Sequence, residues 1–129
     1  MSRLLLAAAA LAIAGPAAAA DQAKPAPASQ CFRISQIDNH TKGDNQTLYL
    51  SVRNKEVYRV GMSGSCLAGV SNSDPLVLTP TGGTDLICRP LDVDLKVRMA
   101  AGALTPCIIK DITKLTPEQV SALPPKVKP

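Results

Sequence analysis

The chain has 129 residues, and an N-terminal stretch with the features of an export signal leaves about 109 for the working protein, which is one domain and excludes a multidomain enzyme. Fourteen Lys and Arg stand against ten Asp and Glu, and Arg3 is the only base in the leader, so a charge of about +3 remains and no steep electrostatic field is implied. Phe32, Tyr49 and Tyr58 are the only aromatics and Trp is absent, so the core has to be aliphatic.

Arg3 supplies a positive n-region, residues 4–14 an apolar h-region, and Ala18, Ala19 and Ala20 a small-residue cleavage site, so the reading is a signal peptide over 1–20 cut after Ala20. The apolar run is too short to span a bilayer, and no membrane insertion is expected after cleavage. Residues 21–30, DQAKPAPASQ, form an Ala/Pro-rich arm. A single domain is expected over 31–125, in a periplasmic or secreted protein.

From Cys31 onward, short runs of Val, Ile and Leu alternate with Gly, Pro, Asn and Asp clusters, as in small all-β folds. CFRISQI (31–37) is the first expected strand and NHTKGDNQ (39–46) a loop carrying His40. TLYLSVR (47–53) and EVYRV (56–60) form a hairpin, with Leu48, Leu50 and Val52 inward. A three-residue loop sets Tyr58 opposite Leu50 and Val60 opposite Leu48, and register parity favours it over two.

After a long loop at 61–74, further strands are expected at PLVLT (75–79), DLICR (85–89), LDVDLKVR (91–98) and PCIIKDI (106–112), with Gly82 and Gly83 making a hairpin turn. In LDVDLKVR, Leu91, Val93, Leu95 and Val97 point one way while Asp92, Asp94, Lys96 and Arg98 point the other. In LTPEQVSAL (115–123), Thr116 as cap, Pro117 at the first helical position and Gln119 completing a capping box predict a short helix. Pro124 and Pro125 stop it, and KVKP (126–129) reads as a mobile basic tail. The expected fold is mainly β, a small antiparallel barrel or sandwich of about six or seven strands with a short C-terminal helix.

Cys31, Cys66, Cys88 and Cys107 are an even set in a small exported domain, which predicts two disulfides. Three pairings are possible; the nested one, Cys31 with Cys107 and Cys66 with Cys88, is favoured because it ties the first strand to the last. No two cysteines approach the C-x-x-C spacing of zinc or redox sites, and His40 is the only histidine.

The segments CFRISQID, TLYLSV, VYRVGMSGSC, GTDLICRPLDVDLKV and PCIIKDITKLTPEQVSALPP resemble a family of small exported proteobacterial proteins, domain of unknown function 6491. The likeness runs over nearly the whole mature chain. It implies an exported, disulfide-bonded domain, and it carries over no activity and no catalytic residues.

The residues themselves offer few chemistries. Asp92 and Asp94, with Asp85 or Asp111, are a weak candidate for holding a hard cation; a solvated face neutralised by Lys96 and Arg98 is the simpler reading. Ser63 and Ser65 around Gly64 have the wrong order for a nucleophile elbow, and no catalytic residue and no cofactor is expected. Three aromatics and a mild charge argue against nucleic acid. Arg33, Arg53, Lys55 and Arg59 around Tyr49 and Tyr58 read most simply as a scattered, solvated surface; the sharper reading is a binding surface centred on Tyr49, Tyr58 and Arg59, suited to an envelope protein or an anionic envelope polymer. The expectation is therefore a non-enzymatic binding module of the cell envelope; the alternatives are a small metal-dependent or hydrolytic periplasmic enzyme using Asp92 and Asp94, and a purely structural envelope protein.

Overall fold

The computed structural model describes residues 30–129; the expected signal peptide and nearly all of the Ala/Pro-rich arm lie outside them. Nine strands and one short helix follow in the order β1 (Phe32–Arg33), β2 (Ile37–Lys42), β3 (Thr47–Val52), β4 (Glu56–Met62), β5 (Leu76–Pro80), β6 (Leu86–Ile87), β7 (Val93–Arg98), β8 (Leu104–Cys107), β9 (Ile109–Lys114) and α1 (Pro117–Ala122). Every ladder is antiparallel. The strands make a four-stranded sheet ordered β2-β3-β4-β9, a three-stranded sheet ordered β5-β7-β8 and a two-stranded ribbon of β1 and β6. The mainly β fold is as expected, with nine short strands instead of six or seven, and among the described residues no sheet closes into a barrel.

Period-2 alternation builds the core. Leu48, Leu50 and Val52 from β3 and Tyr58, Val60 and Met62 from β4 meet Val93, Leu95 and Val97 from β7 in one buried cluster. Phe32 from β1 and Ile87 from β6 join it, and Leu67 and Val70 from the long loop complete it. The β3–β4 register is the one parity favours, with Leu50 opposite Tyr58 and Leu48 opposite Val60. Its connection is Arg53, Asn54 and Lys55, with Arg53 and Asn54 both at positive φ, the sign that mirror-image hairpin turns require.

Four local expectations are corrected. The 31–37 segment is broken by a 3-10 turn at Ile34–Gln36, so its two halves join different sheets. His40 lies on β2 rather than in a loop, its Nε2 3.1 Å from the Asp74 carbonyl. Gly82 and Gly83 do not close a hairpin, because β5 and β6 belong to different sheets and Gly83 takes φ +72 in the bend between them. The 106–112 segment is split at Ile108, where the chain leaves β8 in one sheet and enters β9 in another.

Both disulfides form, but the nested pairing is overturned: Cys31 bonds Cys88 and Cys66 bonds Cys107. The reason is register. Phe32 pairs with Ile87 and Arg33 with Leu86, so continuing the ladder by one residue puts Cys31 across from Cys88, with Cα atoms 4.3 Å apart. The first and last strands never pair, since β1 belongs to the ribbon and β9 to the edge of the four-stranded sheet. Cys66–Cys107 instead pins the long loop to the place where the chain passes between sheets.

At the C-terminus Thr116 accepts from the Gln119 amide and the Gln119 side chain accepts from the Thr116 amide, so the anticipated capping box is present. The KVKP tail is not loose. A 3-10 turn at Pro125–Val127 brings the Val127 carbonyl to the Thr41 hydroxyl on β2, and the Lys128 ammonium donates to the Ser121 carbonyl.

Candidate functional site

Directly paired residues of an antiparallel ladder project to the same side, so Thr41, Tyr49, Arg59 and Thr113 form one row across all four strands of the larger sheet. The alternation that sends Leu48, Leu50 and Val60 inward turns this row away from the core. Tyr49 and Arg59 are half-buried and Thr113 is exposed. Two of the three residues proposed from sequence are therefore neighbours.

Tyr58 is not part of that surface. It is fully buried on the opposite face, its ring 4.6 Å from that of Phe32 at an interplanar angle of 49°, and its hydroxyl points toward the Cys31 carbonyl at 3.4 Å. Burial, reinforced by the Glu56 carboxylate, pushes the phenol above its ordinary value. The pairing with inward Leu50 already dictates this, because one sheet face cannot hold Leu50 in the core and leave its partner in solvent.

Around Tyr49 and Arg59 the structure adds residues the sequence reading had assigned elsewhere. The Arg59 guanidinium donates to Asp111 Oδ1 at 2.9 Å, both side chains about two-fifths exposed, at 41% and 40%. Two glycines make room for the group. A Cβ on Gly43 would stand 2.7 Å from Tyr49 Cε2, and one on Gly61 would stand 2.5 Å from Asp111 Oδ2. The edge of the Tyr49 ring and the Thr47 side chain thus both lie beside Gly43, and the Asp111 carboxylate lies over Gly61. Asp44 completes the edge: the Gln46 amide holds its carboxyl below the usual range, with smaller help from Thr47 and Arg59.

The weak metal candidate does not assemble. Asp92 belongs to the 3-10 turn at Pro90–Asp92 instead of to a strand face, and its carboxylate accepts from the Cys88 and Arg89 amides at 2.9 and 2.8 Å. Burial alone would raise its pKa, but those amides and the Arg89 guanidinium outweigh it and hold the acid low. Asp94 pairs with Lys96 at 3.0 Å, Asp85 with Arg33 and Ser35, and Asp111 with Arg59. Among the described residues no three His, Cys, Asp or Glu side chains are grouped as a cation would need. The same turn throws Leu91 outward, where it is 83% exposed, against the inward direction expected of it.

The remaining basic residues do not converge on Tyr49. Arg53 reaches the Glu56 carboxylate at 3.5 Å, which Lys114 also binds, at the hairpin end of the core side. The Lys114 bond, opposed by burial, holds the Glu56 acid below its ordinary value. Among the described residues the surface holds open hollows, one of about 330 Å³ beside Glu56, Lys114, Pro117 and Val120, and another of about 250 Å³ beside Leu91 and Ile108.

Fold and surface together define a two-disulfide β domain of three antiparallel sheets with a polar cross-strand row on the face away from its core. Among the described residues, no helix is long and apolar enough to cross a membrane. The chain belongs to the family of unknown function DUF6491, whose model matches residues 1–128. No curated protein and no solved structure matches it.

Proposed function

We propose that the protein is an exported, non-enzymatic interaction module of the cell envelope that contacts its partner through the outer row of the four-stranded sheet. The observation that carries this reading is the adjacency of Tyr49 and Arg59, half-exposed on a face whose underlying backbone is cleared by Gly43 and Gly61. Two disulfides fit an oxidising compartment, in agreement with the leader expected over residues 1–20. The carboxylates that the sequence offered for acid-base or metal work are engaged in ion pairs and backbone bonds, and Glu56, Asp85 and Asp92 are held low, the opposite of what a general acid requires.

The test is in-cell cross-linking of the oxidised protein in the envelope fraction, repeated with Tyr49→Ala and Arg59→Ala. Capture of a defined partner that falls at least severalfold in both variants is the expected result. Capture that is indifferent to both substitutions refutes the placement, and turnover of a hydrolytic substrate by the purified protein refutes the non-enzymatic reading.

A further inference from the structure

We infer that the partner at this surface is a saccharide chain that is uncharged and rich in hydroxyls, an inference that rests on the Tyr49–Arg59 row being the contact surface. Three observations point to that chemistry. First, Tyr49 is half-exposed and one edge carbon of its ring is held beside the Gly43 backbone, so an aromatic surface is kept at the sheet face; a sugar ring offers a matching apolar face of C–H groups. Second, the polar groups beside the ring come as donor and acceptor together: the Arg59 guanidinium, the Asp111 carboxylate and the exposed Thr113 hydroxyl. A hydroxyl both donates and accepts, so a vicinal pair on a sugar can bridge this set, whereas a phosphate or carboxylate only accepts.

Third, the charge is already answered. Arg59 is already paired with Asp111, and its charge is near enough to Asp44 to help hold that carboxyl low, so the cation here is answered by acids of the same surface. An anionic polymer would have to displace Asp111 from Arg59 and approach Asp44. The Lys128 ammonium in the adjoining C-terminal turn is directed at the Ser121 carbonyl. The turn itself sits on Thr41, next to Tyr49 in the row, and gives the platform a wall on one side. The geometry therefore favours a neutral glycan over the anionic polymer that composition suggested.

The experiment titrates the isotope-labelled, oxidised protein with cellotetraose, chitotetraose and maltotetraose, and with polygalacturonate as the anionic comparator, and reads backbone amide shifts. The expected result is saturable binding of at least one neutral tetrasaccharide, with shifts concentrated at Thr41, Tyr49, Arg59 and Thr113. Tyr49→Ala should weaken it about tenfold or more. Gly43→Ala keeps the aromatic ring but forces it off its seat, and should weaken binding as well; a ring that matters only for folding would not show this. The inference is overturned if none of the three is bound, if the shifts fall elsewhere, if both variants bind as tightly as the parent, or if polygalacturonate binds more tightly. Should the saccharides fail while cross-linked capture still depends on Tyr49 and Arg59, the sugar falls and the interaction surface stands; failure of both removes the surface too.

Discussion

Replacing the two tyrosines separately tests which face each one occupies. Tyr58 is wholly buried and packed on Phe32, so Tyr58→Ala removes a large core side chain and leaves a cavity. Substitutions of that kind cost about 3–5 kcal/mol, and the lost ring pair accounts for about 0.5–1.5 kcal/mol beyond area burial. Tyr49 is half-exposed and rests on backbone, so Tyr49→Ala should cost about 1 kcal/mol or less. Tyr58→Phe keeps the ring and loses only a hydroxyl whose contact to the Cys31 carbonyl is long, 3.4 Å, so its cost should be about 0.5–1 kcal/mol. Urea unfolding of the oxidised proteins, followed by circular dichroism, measures all three with the disulfides intact. For a domain of this size 1 kcal/mol moves Tm by about 4–8 °C, so Tyr58→Ala should lower it by more than about 12 °C and Tyr49→Ala by less than about 8 °C. Equal losses from the two alanine variants would refute the assignment of faces.

Removing the Cys31–Cys88 bridge with paired alanines frees a loop of 57 residues and should cost about 4 kcal/mol in the chain-entropy treatment, measured by denaturant unfolding; a loss under about 1 kcal/mol would show that the reduced chain is already constrained there. Glu56, Asp85 and Asp92 are held below their ordinary values in the folded protein, so their contribution is complete above the unfolded-state pKa of about 4 and is lost as pH falls through the lower folded values. Stability should accordingly be flat from about pH 7 to 5 and fall below about 4, with a shallower fall in Asp92→Asn, and a stability that rises between pH 5 and 3 would contradict the sign. Thr116→Ala deletes the cap of α1 and should cost about 1 kcal/mol, seen as faster amide exchange confined to residues 118–122. Arg59→Ala breaks one half-exposed ion pair and should change global stability by less than about 1 kcal/mol in the same unfolding assay.

How far these elements could be read in advance depends on how local their determinants are. The β3–β4 hairpin was legible because two alternating runs separated by three residues admit only one register that keeps both apolar sets inward. The α1 cap was legible because Thr116, Pro117 and Gln119 carry its whole hydrogen-bond logic within four residues. The disulfide pairing was not, since it follows from β1 meeting β6 across more than fifty residues of chain. Nor were the two interruptions at Ile34–Gln36 and Ile108, where nothing in the local sequence marks the point at which the chain changes sheet.

In the site, the residue type misled where the period did not. An aromatic among arginines suggested that Tyr58 was a surface residue, yet its pairing with Leu50 fixed it inside. The seats of Tyr49 and Asp111 are a different matter. Gly43 and Gly61 read as loop glycines, chosen for backbone freedom; neither has positive φ, and what each supplies is the absence of a Cβ beneath a neighbouring side chain. Only the cross-strand register shows which side chain lies over which glycine.

The division of labour between the two faces leaves Tyr49, Arg59 and Thr113 free for the contact proposed above. Cohesion rests on the inner cluster and on two bridges, one closing the β1–β6 ladder and one fastening the long loop to the crossing between sheets. None of these involves Tyr49, Arg59 or Thr113. Because a small domain with few aromatics depends on its cross-links, residues outside them can be selected for contact without being needed for folding. The C-terminal turn follows the same logic: its Val127 carbonyl anchors on Thr41, the first residue of the row, so the chain end borders the platform while α1 and its cap hold the turn's approach. A ligand at Tyr49 would therefore meet a fixed sheet on one side and a short hydrogen-bonded strap on the other, and its binding should be reported by the Thr41 amide as clearly as by Tyr49 itself.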